Sequence, residues 1–223
     1  MMQFSMAVTL FVGSGVLGVI TRPSPVVVDR MIAIGFFVCL LGLADDKFSL
    51  PPVVKLLGQI CVGLSVHFWL DAGFSGYIPG LPAWLDCVFT VFWIVGAINA
   101  FNLIDGLDGL ATGLACIASF GMAGALFFVG RQECTLVYFA FLGACLGFLK
   151  YNFHPASVFL GDTGSMSLGF VLATLPLLIG GSHSFFVSVG VPILAMGVPI
   201  FDTTLAIIRR TVRAMLRKRS GGD

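Results

Sequence analysis

The chain has 223 residues, of which 58% are hydrophobic, 13% aromatic and only 10% charged; its mean hydropathy is +1.04. Soluble domains carry about 25% charged residues, so 12 Lys and Arg with 11 Asp and Glu cannot clothe a water-soluble globule of this size. A soluble enzyme and a disordered chain are excluded, and with a net charge of +1 and one short basic tail no nucleic-acid partner is expected. What remains is an all-α integral membrane protein, a polytopic bundle of about eight transmembrane helices at about 20 apolar residues each. Such a count leaves residues for loops only, so a single transmembrane domain is expected over 1–223.

Charges and turn residues divide the apolar sequence into runs. The first, 4–20, lacks a basic leader and a small-residue cleavage site, and is expected to be a retained helix rather than a signal peptide. A second run covers 26–43. Asp45, Asp46 and Lys47 follow, then Pro51 and Pro52, and a third run at 53–70. A Gly/Pro-rich stretch, 71–82, leads to the fourth at 84–104. The fifth, 110–130, is uncharged, and Arg131, Gln132 and Glu133 part it from a short sixth at 134–149. A polar segment, 150–162, precedes the seventh at 163–179, and 180–183 breaks it from the eighth at 184–208. Cys39, Cys61, Cys87, Cys116, Cys134 and Cys145 are scattered with no C-x-x-C pair, and are expected to be free, small apolar side chains.

Lys and Arg on alternate connections set the orientation. Lys47, Lys55, Lys150 and the tail residues Arg209, Arg210, Arg213, Arg217, Lys218 and Arg219 fall on one side. Arg22, Arg30 and Arg131 fall on the other. The first side, with both termini and a basic tail at 209–223, is therefore expected in the cytoplasm. Asp45, Asp46, Asp105, Asp108, Asp162 and Asp202 gather there too, against Asp29, Asp71, Asp86 and Glu133 opposite. Loops need polar residues, which is the plain account. However, carboxylates bordering apolar segments are costly unless paired or metal-bound.

Three segments carry the chemistry. Asp45 and Asp46 are adjacent, repel one another and sit ahead of Lys55; this suits a phosphate-metal site or a simple helix-end charge pair. Asn99, Asn102, Asp105 and Asp108 recur every three residues. A straight helix cannot aim all four at one ligand, so Gly106 and Gly109 are expected to break it. These groups could bind a sugar, a nucleotide or metal-bound water, or simply form an Asn/Gly turn. In the third segment Gly161 and Gly164 flank Asp162, and Thr163 or Ser165 is expected to cap the following helix, forming a Mg²⁺ and phosphate corner. His154 faces a phosphate or sits in a turn, and His67 and His183 read as structural. Asp202 binds a metal or a base, or pairs with Arg209 or Arg210. No P-loop or dinucleotide fingerprint is present.

Together, A-D-D-K (44–47) with K-L-L-G-Q (55–59), N-A-F-N-L-I-D-G-L-D-G-L-A (99–111), N-F-H-P-A (152–156), V-F-L-G-D-T-G-S (158–165) and P-I-F-D-T (199–203) resemble one family. It is the polyprenyl-phosphate N-acetylhexosamine-1-phosphate transferases, which include the undecaprenyl-phosphate GlcNAc-1-phosphate transferases and the phospho-MurNAc-pentapeptide translocase. The motifs keep the family's order over about residues 44–210. The resemblance implies a multi-pass enzyme of the bacterial inner membrane with a cytoplasmic active site. It implies that Mg²⁺, or Mn²⁺ in its place, assists transfer of a sugar-1-phosphate from a UDP-N-acetylhexosamine to undecaprenyl phosphate. UMP is released and a cell-envelope glycan is begun. The D-D-K-F form and the lack of a large insertion lean toward a GlcNAc-type substrate.

By the same resemblance Asp45, Asp46, Lys55 and Asp162 are catalytic, with Asp162 and Asp46 as metal ligands. Asn99, Asn102, Asp105, Asp108, Asn152 and Asp202 bind substrate. Membrane lipid and a second copy of the chain are further candidate partners. The chain is expected to be shortened at both ends, without the family's first helix and basic loop and without its His-x-His-His-like loop. Two other classes stay open: an ion-coupled transporter with buried acids, and a catalytically inactive shortened relative.

Overall fold

A computed structural model of the chain describes residues 25–74, 80–128, 130 and 132–179, with single positions at 197, 201, 205 and 209. The expected first helix and Asp202 lie outside the described residues, as does nearly all of the expected eighth helix. The rest is helical, with no strand among the described residues. The elements are α1 (Pro25–Phe48), α2 (Pro52–Trp69), α3 (Ala83–Ile104), α4 (Leu110–Phe128), α5 (Gln132–Asn152) and α6 (Gly161–Ile179). Each corresponds to one expected apolar run, from the second to the seventh. Proline sets two of the starts: Pro51 and Pro52 pre-form the first turn of α2, and Pro82 precedes α3 in extended conformation.

Among the described residues four helices are long and apolar enough to cross a bilayer: α2, α3, α4 and Cys134–Asn152 of α5. Their outward faces carry large apolar side chains, among them Phe92, Ile117, Phe120 and Phe128. Water would not tolerate such a perimeter, whereas lipid matches it. The chain is an integral membrane protein.

Helix α6 is the axis of the bundle. Residues 163–177 are all buried, because α1 and α3 pack along it and α4 touches it. Its small polar side chains, Thr163, Ser165, Ser167 and Thr174, are enclosed with its apolar ones. Helix α2 packs on α1 and α3, and α4 pairs with α5. Successive helices alternate in direction. The C-terminal ends of α1, α3 and α5 therefore meet the N-terminal ends of α2, α4 and α6 at one end of the bundle. At the opposite end Arg30 Nη1 donates to the Trp69 carbonyl at 2.7 Å, and the Phe74 amide donates to Asp86 Oδ1 at 2.6 Å. All six cysteines are free.

Backbones approach closely where glycine removes the side chain. A Cβ on Gly42 would stand 2.5 Å from Thr163 Cα, and one on Gly169 would stand 2.7 Å from Ile98 Cα. Small residues at helix crossings are how bundles in lipid gain contact area. Gly42→Ala should force α1 from α6 and lower the thermal midpoint in detergent, an overpacking cost of about 1–3 kcal/mol. Gly113→Ala, with open space around it, should leave the midpoint nearly unchanged.

Candidate active site

Lys55 lies in the first turn of α2 and reaches across the gathered helix ends. An ammonium has three donors, and here each has a partner. Asp45 Oδ2 stands 2.5 Å from Nζ, Asn102 Oδ1 at 3.0 Å and Asp162 Oδ2 at 3.0 Å. One cation thereby ties α2 to α1, α3 and α6. The Lys55 side chain is 16% exposed, that of Asp45 9% and that of Asp162 32%, so water screens these attractions weakly. Asp45 Oδ1 also accepts the Leu50 amide at 2.8 Å, which fixes the chain between α1 and α2. The Asn102 amide turns its oxygen to Lys55 and its nitrogen to Asp162 Oδ1 and to Ser165 Oγ, the latter at 3.1 Å. Two carboxylates share one ammonium, so the cluster keeps an excess of negative charge.

The head of α6 is built differently from the expectation. Gly161 opens it at φ 65, in the left-handed region that favours glycine. Neither Thr163 nor Ser165 caps it, because both lie inside its first turns. The cap is Asp46, brought from α1. Asp46 Oδ1 accepts the Asp162 amide at 2.8 Å, and Oδ2 accepts the Thr163 amide at 3.1 Å and the Thr163 hydroxyl at 2.7 Å. Gly42 makes this possible: α1 presses onto α6 there, and one turn later Asp46 overhangs the free amides. A carboxylate suits this place because the helix dipole is positive at its N-terminus. Asp46→Ala should cost about 0.5–2 kcal/mol of stability, and Asp46→Asn distinctly less, as measured by thermal unfolding in detergent.

The expected break after α3 is present. The helix ends at Ile104, residues 105–109 form a turn, and α4 begins at Leu110. The four polar residues spaced by three take separate partners. Asn102 joins Lys55, whereas Asn99 faces Gln59, with its Nδ2 2.5 Å from Gln59 Oε1. Asp105 accepts the Gly161 backbone amide and lies near Asp162 and Asp46. Asp108 Oδ2 pairs with His154 Nδ1 and the Ala156 amide, both at 3.1 Å, holding the 105–109 turn to the segment after α5. His154 therefore belongs to a turn pinned by Asp108. Asn152 is buried, taking the Thr112 hydroxyl at 2.9 Å and donating to the Val158 carbonyl at 3.0 Å. Neither of these contacts involves a residue of the Lys55 cluster.

The structure thus gathers Asp45, Asp46, Lys55, Asn102, Asp105 and Asp162. Asn99, Asp108 and Asn152 stand apart from this group. Among the described residues no three His, Cys, Asp or Glu side chains converge as a metal-holding set by themselves. Sequence reasoning passed over Gln59 and the supporting role of Ser165. The spacing held a signal for the first, since Gln59 lies four residues from Lys55 and shares its helix face.

Burial, and after it the charges of Asp162 and Asp46, push the Asp105 carboxyl up from 3.8 to about 7. The folded chain therefore holds a proton that the unfolded chain loses near pH 4. Stability from this group is full below that pH and is lost as pH rises through 7. The thermal midpoint should fall between pH 5 and pH 8, and Asp105→Asn should flatten that fall.

Fold and site together define an all-helical integral membrane protein with a charged, lysine-centred polar site at one end of its bundle. The profile of glycosyl transferase family 4 matches residues 30–180, and the chain belongs to that family. A probable undecaprenyl-phosphate N-acetylglucosaminyl 1-phosphate transferase of Bacillus subtilis is 43% identical over 190 residues, covering 81% of this chain and 53% of that protein. A phospho-N-acetylmuramoyl-pentapeptide-transferase of Oceanobacillus iheyensis is 42% identical over 158 residues, covering 63% of this chain and 48% of that protein. One of the same description from Heliobacterium modesticaldum is 39% identical over 157 residues, covering 62% and 49%. The chain spans about half the length of the curated relatives it matches.

Proposed function

We propose that this chain forms the catalytic core of an enzyme that moves N-acetylhexosamine-1-phosphate, of the GlcNAc type, from a UDP-sugar to undecaprenyl phosphate. UMP leaves, and a cell-envelope glycan is begun. The observation that carries the proposal is the Lys55 ammonium held jointly by Asp45, Asn102 and Asp162 beside a helix N-terminus. Phosphoryl transfer asks a protein mainly for positioning and for charge to meet the phosphates. In this reading a lipid phosphate oxygen bonds to the sugar-bearing phosphorus. The bond from that phosphorus to the bridging oxygen breaks, and the oxygen departs with UMP. Lys55 meets the negative charge, and one acid of the Asp45–Asp46 pair receives the proton of a protonated lipid phosphate.

Mg²⁺ characteristically uses one or two protein carboxylates and completes its shell with phosphate oxygens and water. The donor set fits such an ion: Asp105 lies near Asp162 and Asp46, and Asp45 and Asp162 share a single ammonium. Asp162 and Asp105 would hold it. Asp46, assigned with Asp162 by resemblance, already accepts three bonds from the head of α6. When bound, the ion would supply charge neutralisation to the diphosphate. The site would face the cytoplasm of a bacterial inner membrane, in a chain of eight crossings with both termini inside. Support comes from Lys47, Lys55 and Lys150 at the polar end of the bundle, with Arg30 at the other.

Membranes carrying the chain should release UMP from UDP-GlcNAc when undecaprenyl phosphate and Mg²⁺ are supplied. Asp162→Ala should reduce that release at least about 100-fold. Wild-type activity in Asp162→Ala would overturn the site. Flux into proteoliposomes without UMP release would favour a transporter, and neither result would favour an inactive relative.

A further inference from the structure

One turn deeper than Lys55 lies a second polar contact, between Gln59 and Asn99. Gln59 is 0% exposed. Asn99 Nδ2 donates to Gln59 Oε1 at 2.5 Å and to the Val95 carbonyl at 2.8 Å, and Gln59 Nε2 donates back to Asn99 Oδ1 at 3.4 Å. The two helices run antiparallel, and their contacts descend in steps. Lys55 meets Asn102, then Gln59 meets Asn99. Farther down, Gly63 lies against Val91, where a Cβ would stand 2.9 Å from the Val91 Cα.

We propose that buried Gln59 and half-buried Asn99 form an amide clamp that sets the register of α2 against α3 and so positions Lys55, making Asn99 a positioning residue rather than a substrate contact. Apolar side chains tolerate sliding, because one methylene contact replaces another at little cost. A reciprocal amide pair with one partner fully buried does not, since a shift strands the Gln59 donors and acceptor where neither water nor lipid can satisfy them. A single buried polar contact can in this way select one helix register over its neighbours. Here the selected register is the one that brings the Lys55 ammonium within 3.0 Å of both Asn102 and Asp162.

The test exchanges the two amides. Gln59→Asn alone is too short, Asn99→Gln alone is too long, and the exchange Gln59→Asn/Asn99→Gln keeps the combined span. The first readout is modification of Lys55 by a water-soluble amine reagent, with exposed Lys47 as internal reference. The second is UMP release, which rests on the function proposed above; the labelling does not. Each single variant should speed Lys55 labelling at least about threefold relative to Lys47, and the exchange should return it to the wild-type rate. The single variants should lower kcat about tenfold or more while KM for UDP-GlcNAc stays within about twofold, and the exchange should recover most of that loss. Lys55 labelling that is the same in all four proteins overturns the clamp. So does an exchange variant as slow as Asn99→Gln with Lys55 labelled at the wild-type rate, because Asn99 would then touch substrate. If labelling follows the cycle but the wild-type chain releases no UMP, the clamp stands and the proposed function falls.

Discussion

One ammonium in a region of weak screening governs this structure. Lys55 has as many donors as it has acceptors around it, and those acceptors arrive on three other helices. Lipid offers those groups nothing to bind. Each helix that presents a carboxylate or amide at this end must therefore settle where the lysine can answer it. The non-polar perimeter gives no such instruction, because one lipid-facing position is as comfortable as the next. Location comes from the polar end, and bulk adhesion comes from close backbone crossings such as Gly42 against Thr163.

The same economy explains why the acids do not act as one group. Asp45 and Asp162 answer Lys55, Asp46 answers the amides of α6, and Asp108 answers His154 and the Ala156 amide. Asp105 is left with a single backbone amide and two negative neighbours. Asp105, half-buried, thus carries the strain of burial beside the negative charges of Asp162 and Asp46.

Much of the fold was legible because hydropathy is a local property. The runs at 26–43 and 84–104 became α1 (Pro25–Phe48) and α3 (Ala83–Ile104), with ends displaced by a few residues where proline and capping fix them. Ordered motifs were likewise enough to place the chain in its family. Partnership was not legible, because it depends on which helices lie side by side. Spacing by three suggested common purpose for Asn99, Asn102, Asp105 and Asp108, yet the break at 105–109 sends them to different neighbours. Thr163 and Ser165 were natural caps on local grounds, and the actual cap comes from a residue more than a hundred positions earlier. Gln59 was visible only as the last letter of a motif until α3 placed an amide opposite it.

The burial of α6 on every side separates two tasks. The acid of the site, Asp162, stands on a helix whose following turns have no contact with the hydrocarbon around the protein. Residues that do meet that hydrocarbon, such as Phe92 and Phe128, belong to the outer helices. Membrane thickness and lipid composition can therefore be accommodated by drift in the rim, while the axial helix stays insulated. The two sets of positions are free to change at different rates.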